Sequence, residues 1–336
     1  MFVRKTLIDR LREESLSLAV LIVLLIIPFL GIRGYWLDIL IRINVFLVFA
    51  ITLDFFSGTT FYLNLGHSFI IGLAAYTLAI LNVYYGIPVE IGIFISTIIT
   101  CILSLVLFLP SIRVRGVYFA IMSLLFPIIF IGIATTQPFS IFLGGEGGLR
   151  SKQLFLSIAK SLPVKYRLMF LQLSYYYLSL IIAIVSYIML YKLAYSDFGF
   201  ILRAIGQDEE LAEVSGINTV KAKLKGFLIS SFFASLAGSF YAAIKPPVTL
   251  DFVSTATILL PILTAMIVGG MGSIIGTAIA TYALIILYEL LWGIVGEWRT
   301  IIYMVLLLVF VILRPQGVMY YLYLKFKDIT KRLMRA

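Results

Sequence analysis

The stretch TIITCILSLVLFLP, residues 97–110, carries no charged side chain, and runs like it recur along most of the chain. An α-helix needs about 20 mostly apolar residues to cross the ~30 Å hydrocarbon core of a bilayer, and only a helix or a closed barrel satisfies its own backbone there. Segments of this kind fall at 16–32, 37–56, 61–81, 88–109, 116–136, 171–195, 226–244, 256–272, 274–291 and 299–313. Of the 336 residues, 62% are hydrophobic and 12% charged, whereas a soluble domain is about half apolar and about a quarter charged. The sequence therefore predicts an all-α fold, a polytopic transmembrane helical bundle of about ten spans forming a single domain over residues 1–336.

Charge orients the spans. The formal net charge is +10, but the Lys and Arg residues sit at span ends and in short connectors rather than in one basic domain. That distribution points to the lipid bilayer and the positive-inside tendency, and away from nucleic acid. With the basic N-terminus in the cytoplasm, parity places RVRG at 113–116, the connector 196–225 and the basic tail 319–336 on the cytoplasmic side, so both termini are expected there. The same count puts 137–170 outside with Arg150, Lys152, Lys160, Lys165 and Arg167; longer loops are less bound by the rule. Residues 1–15 carry Val3, Leu7, Ile8 and Leu11 at helical spacing between basic residues, which suits an interfacial segment. Basic residues before an apolar run also occur in signal peptides, but no small-residue cleavage site follows, so the first run is read as an uncleaved helix.

Several local features bear on packing. Cys101 is the single cysteine, so no intrachain disulfide forms and no Cys-based metal site exists. GGMGSIIG at 269–276 fits close helix packing or a half-helix within the membrane. The triplet IIG recurs at 70–72 and 274–276, but the topology runs both helices in one direction, so the match does not support an inverted repeat.

Against this background AIGQDEELAEVSGINTVKAKLKG, residues 204–226, is polar. Asp208 is placed to cap a helix, Glu209 and Glu210 fall in a first turn that favours negative charge, and Gly216 can supply the left-handed residue that ends it. Leu211 and Val214 then share one face of a two-turn rod along the cytoplasmic surface. By these residues alone the segment is either a solvated turn or a handle for a partner.

The segment resembles the coupling loop and following span of permease subunits of branched-chain amino-acid ABC transporters, the LivH/LivM family, and is most similar to the LivM type. The matching residues are Arg203, Ala204, Ile205, Asp208, Glu209, Ala212, Glu213, Gly216, Ile217 and Asn218, then Lys223, Leu224, Ser230, Ala237, Gly238, Tyr241 and Ala242. LNLGHSFIIGLAAYTLAIL, GVYFAIMSL, GGEGGL, IVGGMGSIIGTAIA and RPQGV resemble further family landmarks in the same order, from about residue 54 to 318. Asn64 stands where the family usually has Ser, Phe61 near an expected Gly, Ser235 at a usual Gly, and Val117 where an acid is common. The resemblance implies a permease domain whose loop 196–225 couples to ATPase subunits through Asp208, Glu209, Glu210, Ala212, Glu213, Gly216, Ile217 and Asn218. It further implies a second, LivH-like permease, two ATPase subunits that hold ATP and Mg, an extracellular or periplasmic solute-binding protein, and the plasma membrane of a prokaryote. The solute is then leucine, isoleucine or valine, with urea or short amides as the alternative. Candidates to line the path are Asn64, His67, Ser68 and Tyr76 in the third span and Tyr118 and Ser123 in the fifth.

Other chemistry finds few parts. No G-x-x-x-x-G-K-[ST] stretch is present, so the chain has no P-loop of its own. GGEGGLRS at 144–151 lacks the lysine and reads as an external turn, with or without contact to a solute-binding protein. His67, the single histidine, has no nearby metal-ligand spacing and is either packed and hydrogen-bonded or exposed to the path. Asp54 and Glu90 could serve a proton-coupled carrier, yet both fall near span ends. An intramembrane enzyme would need a carboxylate cluster, a Ser/His pair or a metal triad, so no catalytic residue, cofactor or metal ligand is assigned to this chain.

Overall fold

A computed structural model describes residues 34–114 and 116–298, with short stretches at 25–26, 28, 301–305 and 308–309. Most of the expected first span, the interfacial segment 1–15 and the tail 319–336 lie outside the described residues. Helix α1 runs Tyr35–Leu53 and continues through a π-helical turn, Asp54–Gly58. It is followed by α2 (His67–Val83), α3 (Val89–Ile112) and α4 (Val117–Thr135). Two short helices, α5 (Phe139–Leu143) and α6 (Leu156–Ser161), lead into α7 (Val164–Ala194). Then come α8 (Asp197–Gln207), α9 (Glu209–Val214), α10 (Thr219–Ile244), α11 (Leu260–Gly269, entered through a π-helical turn at Thr255–Leu259) and α12 (Ile274–Val295). Among the described residues six helices, α1, α3, α4, α7, α10 and α12, are long and apolar enough to cross a membrane; α2 and the helix Thr255–Gly269 are apolar but shorter. Pro88 and Pro163 stand immediately before α3 and α7, where the chain enters a helix and first-turn N–H groups have no helical acceptor in any case.

Helices α1 and α10 form the centre. Their apolar windows are 89% and 72% buried, against 28% for α4. They run antiparallel: the Ser230 hydroxyl donates to Thr52 O at 2.7 Å, while further along Phe46 and Phe49 set their rings 6.1 and 6.2 Å from that of Tyr241. On one side α10 pairs with α3 through Ser96 and Ser239, 2.8 Å apart. On the other, α1 meets α12, where Tyr282 donates to Asn44 Oδ1 at 2.6 Å and Glu289 takes Tyr35 at 2.6 Å and pairs with Arg42. Small residues permit this approach, since lipid supplies no hydrophobic drive between helices. A Cβ at Gly238 would lie 2.7 Å from Ile71 O.

The unit α1–α2–α3, a buried long helix, an interruption, a short helix and a long one, recurs as α10–α11–α12 in the opposite direction. An inverted relation is therefore present in the arrangement of the helices, although the IIG match does not mark it. Those triplets fall in α2 and α12, which are not equivalent members of the two units.

The third span is the clearest departure from the sequence reading. Instead of a helix from 61, residues 61–66 fold back along the end of α1, and α2 begins only at His67. Asn64 N–H donates to Ser57 Oγ at 2.9 Å, Leu65 N–H to Ser123 Oγ at 3.0 Å, and His67 Nε2 lies 3.0 Å from Thr52 Oγ1. Thr52 is eight residues before Thr60, about 12 Å along a helix, so the segment re-enters the bundle to roughly that depth. Irregular backbone is tolerated within a membrane when protein covers it and supplies partners. The apolar letters around the segment hide the break, which its backbone marks plainly. Phe61 has φ of 54°, and a Cβ at Gly66 would stand 2.3 Å from Ser123 O.

At the opposite end the segment 245–254 separates α10 from α11 and packs Val253 and Phe252 O against Gly72 of α2. The glycine-rich turn at 144–151 is held there as well, Leu149 and Val248 forming an antiparallel bridge with both N–H···O distances 2.9 Å. GGMG makes the turn between α11 and α12, where a Cβ at Gly276 would lie 2.1 Å from Gly269 O. Close packing and a short preceding helix thus occur together.

In a Cys101→Ser background, single cysteines at exposed Lys160 and Glu210 should react with an impermeant thiol reagent from opposite faces of the membrane. Labelling of both from one face would contradict a membrane crossing by α7, the helix that separates the two positions.

Candidate functional site

QDEELAEVSGIN folds as its capping chemistry requires. Asp208 accepts the Leu211 N–H at 2.9 Å, and Glu209 and Glu210 occupy the first turn of α9. At the other end Gly216 sits at φ 86°, its N–H donating to Glu213 O at 2.9 Å while Ile217 N–H reaches Ala212 O at 3.1 Å. This pair of bonds is the Schellman closure of a helix. Asn218 then caps α10 by accepting the Lys221 N–H at 3.0 Å, and Thr219 donates to Glu213 at 2.7 Å. Ala212 is buried, whereas Leu211 is 64% and Val214 86% exposed. The result is a short rod fixed at both ends with an apolar edge turned outward.

Its strongest anchor is ionic. Lys223 leaves only 1% of its side chain exposed, and its Nζ lies 2.6 Å from Glu209 Oε1 and 4.4 Å from the centroid of the Tyr62 ring. The Tyr62 hydroxyl donates to the other Glu209 oxygen. Burial alone would raise the Glu209 carboxyl, but Lys223, Tyr62 and Thr219 outweigh it and hold the group below its ordinary value of 4.5. The pair therefore stabilises the fold fully above that value and loses its effect only as pH falls through the lowered one. Tyr62 also packs on Phe119, 5.7 Å between centroids, in an aromatic cluster with Phe56, Phe227 and Phe108.

Helix α8 makes a second contact with the bundle. Arg203 lies over Tyr195, 4.9 Å from its ring centroid, and donates to Gly272 O at 3.4 Å. Gly272 N–H donates to Asp54 Oδ1 at 2.7 Å. Gly206 sits so close to the end of α1 that a Cβ would lie 2.6 Å from Thr59 O. The α8–α9 pair thus touches both the 61–66 segment and the turn between α11 and α12.

The structure brings the eight loop residues Asp208, Glu209, Glu210, Ala212, Glu213, Gly216, Ile217 and Asn218 into this one feature. Of the path candidates, Asn64, His67, Ser68, Tyr76 and Ser123 are buried, and Tyr118 is 71% exposed at the start of α4. Asn64 and Ser123 converge on the 61–66 segment, and His67 begins α2 beside Thr52. Tyr76 lies further along α2 against Phe130, away from that group. Among the described residues no three His, Cys, Asp or Glu side chains converge as a metal site.

Sequence reasoning missed Tyr62, the burial of Lys223 and the pairing of Asp54 with Gly272. For Lys223 a signal was available: residues 221, 223 and 225 alternate, and on a helix two positions are about 200° apart, so the middle lysine must face away from the other two. Lys221 and Lys225 are exposed and Lys223 is buried.

The model of the family described as branched-chain amino acid transport system / permease component matches residues 35–313. The high-affinity branched-chain amino acid transport system permease protein LivM of Salmonella typhimurium is 26% identical over 332 residues, covering 92% of this chain and 75% of the relative. The Escherichia coli K12 protein of the same name is 27% identical over 335 residues, covering 91% and 75%. No solved structure matches.

Replacing Gly216 by Val meets open space but places a β-branched residue at φ 86°, a strain of about 1–3 kcal/mol. Amide exchange at positions 216 and 217 should accelerate by about 5- to 150-fold, with α1 and α10 unchanged. Unaltered exchange would show that the closure of α9 does not depend on this glycine.

Proposed function

The chain belongs to the permease-component family of branched-chain amino acid transport systems, and from that premise we propose that it passes leucine, isoleucine and valine across the plasma membrane of a prokaryote. It is a multi-pass membrane protein and a permease subunit of an ABC importer. In our reading it pairs with a second, LivH-like permease, receives solute from an extracellular or periplasmic binding protein, and is driven by two ATPase subunits in trans. ATP and Mg belong to those subunits, and this chain carries no catalytic step of its own. About ten spans with both termini in the cytoplasm complete the proposal, which places the α8–α9 end inside.

The observation that carries the coupling role is α9 itself: a six-residue helix capped at both ends, ionically anchored to the bundle, with Leu211 and Val214 exposed. A connector that only reversed the chain would need a few residues. An outward apolar edge on an anchored rod is what a groove on a soluble partner can grip. Asn64, His67, Ser68, Tyr76, Tyr118 and Ser123 remain the residues proposed to line or bound the path. A proton-coupled carrier built on Asp54 draws less support, because that carboxylate pins the Gly272 turn.

In vesicles holding the full complex and its binding protein, labelled leucine uptake should require ATP and be competed by unlabelled isoleucine or valine. Competition by urea or short amides alone would assign the architecture to a different solute. Uptake driven by a pH gradient without ATP would remove the importer reading altogether.

A further inference from the structure

Two of the described segments that hold Glu209 of α9 differ in stiffness. One is α10, a 26-residue helix whose contacts include the Ser230–Thr52 bond and the close approach of Gly238 to Ile71. The other is the non-helical segment 61–66, reached through Tyr62: the phenol donates to the Glu209 carboxylate and the ring covers the Lys223 ammonium. A displacement of Glu209 must either break these contacts or draw Tyr62 with it. A long packed helix resists, whereas an extended segment can change its dihedrals without losing helical hydrogen bonds. That segment ends at Gly66 and His67, which start α2 at the depth of Thr52.

We propose that Tyr62 is a positioning residue that transmits movement of α9 to the 61–66 segment, which carries Asn64, and so to the first turn of α2, where His67 stands. The inference rests on the coupling role of α9 given above. Its chemistry is a charge-assisted hydrogen bond from a phenol to a carboxylate, held in direction by the aromatic wall of Phe119 and the buried ammonium. Tyr62→Phe deletes that bond and keeps the ring against both neighbours.

The test uses the complete transporter in nanodiscs. Tyr62→Phe should assemble normally, and ATP hydrolysis without solute should persist. Its stimulation by solute-loaded binding protein should fall by at least about fivefold, the lower end of an allosteric coupling. A structural readout separates transmission from simple bracing. In the Cys101→Ser background, a cysteine replacing half-buried Leu63 should change its thiol reactivity by at least about fivefold between the nucleotide-free and vanadate-trapped complexes, and Tyr62→Phe should abolish that change. Reactivity that changes equally with and without the phenol, or in neither case, overturns the proposal, as does unreduced stimulation in Tyr62→Phe. Failure of the underlying reading has a different signature, normal stimulation when Leu211 and Val214 are both replaced by Asp.

Discussion

Lys223 brings an ammonium into the bundle with 1% of its side chain exposed, and one end of the molecule is arranged around keeping that charge paired. A buried cation stripped of its partner costs about 3–5 kcal/mol, a large share of the stability of a folded domain. Glu209 supplies the counter-charge, so the first residue of α9 is tied to the first turns of α10. Tyr62 completes the shell with its ring and hydroxyl, which ties the same point to the chain between α1 and α2. A single electrostatic requirement therefore joins three segments that sequence distance would leave independent.

The remaining architecture gives that junction a mechanical setting. Two units of opposite direction share the α1–α10 centre, and each contains an interruption followed by a short helix. The interruption in the first unit approaches from the α9 end and is satisfied by Ser57, Ser123 and Asn64. The one in the second approaches from the opposite end, against Gly72 and the Leu149–Val248 bridge. Non-helical backbone inside a membrane needs such partners. Each interruption is therefore a place where a few side chains decide the path of the main chain.

Much of this was legible in the sequence because the bilayer imposes long apolar runs. The spans observed as α1, α3, α4, α10 and α12 follow from that rule alone. The caps of α9 were equally readable, since Asp before Glu-Glu and Gly six residues after Glu210 have few other uses. The break at 61–66 was not readable, because FYLNLG supplies apolar residues whether or not it is helical. What sustains the break is tertiary: the Ser57 and Ser123 hydroxyls accept from the Asn64 and Leu65 N–H groups. The partnership of Asp54 with Gly272 joins residues 218 positions apart, and no local pattern announces it. α7 begins at Val164 rather than 171, since its first turns carry Lys165 and Arg167, which mask a helix from a reading based on hydrophobicity.

The account places the outward edge of α9 in a groove of an ATPase subunit, with the ion pair behind it holding the rod in place. The most direct measurement is site-specific cross-linking in the assembled complex. A short bifunctional thiol reagent would act on Val214→Cys in the Cys101→Ser background, against single cysteines along the candidate groove of a cysteine-free ATPase subunit. The account predicts a permease–ATPase product from Val214→Cys and none from Lys160→Cys on the opposite end of the bundle. A product from position 160 and none from position 214, in a complex that still transports, would contradict it.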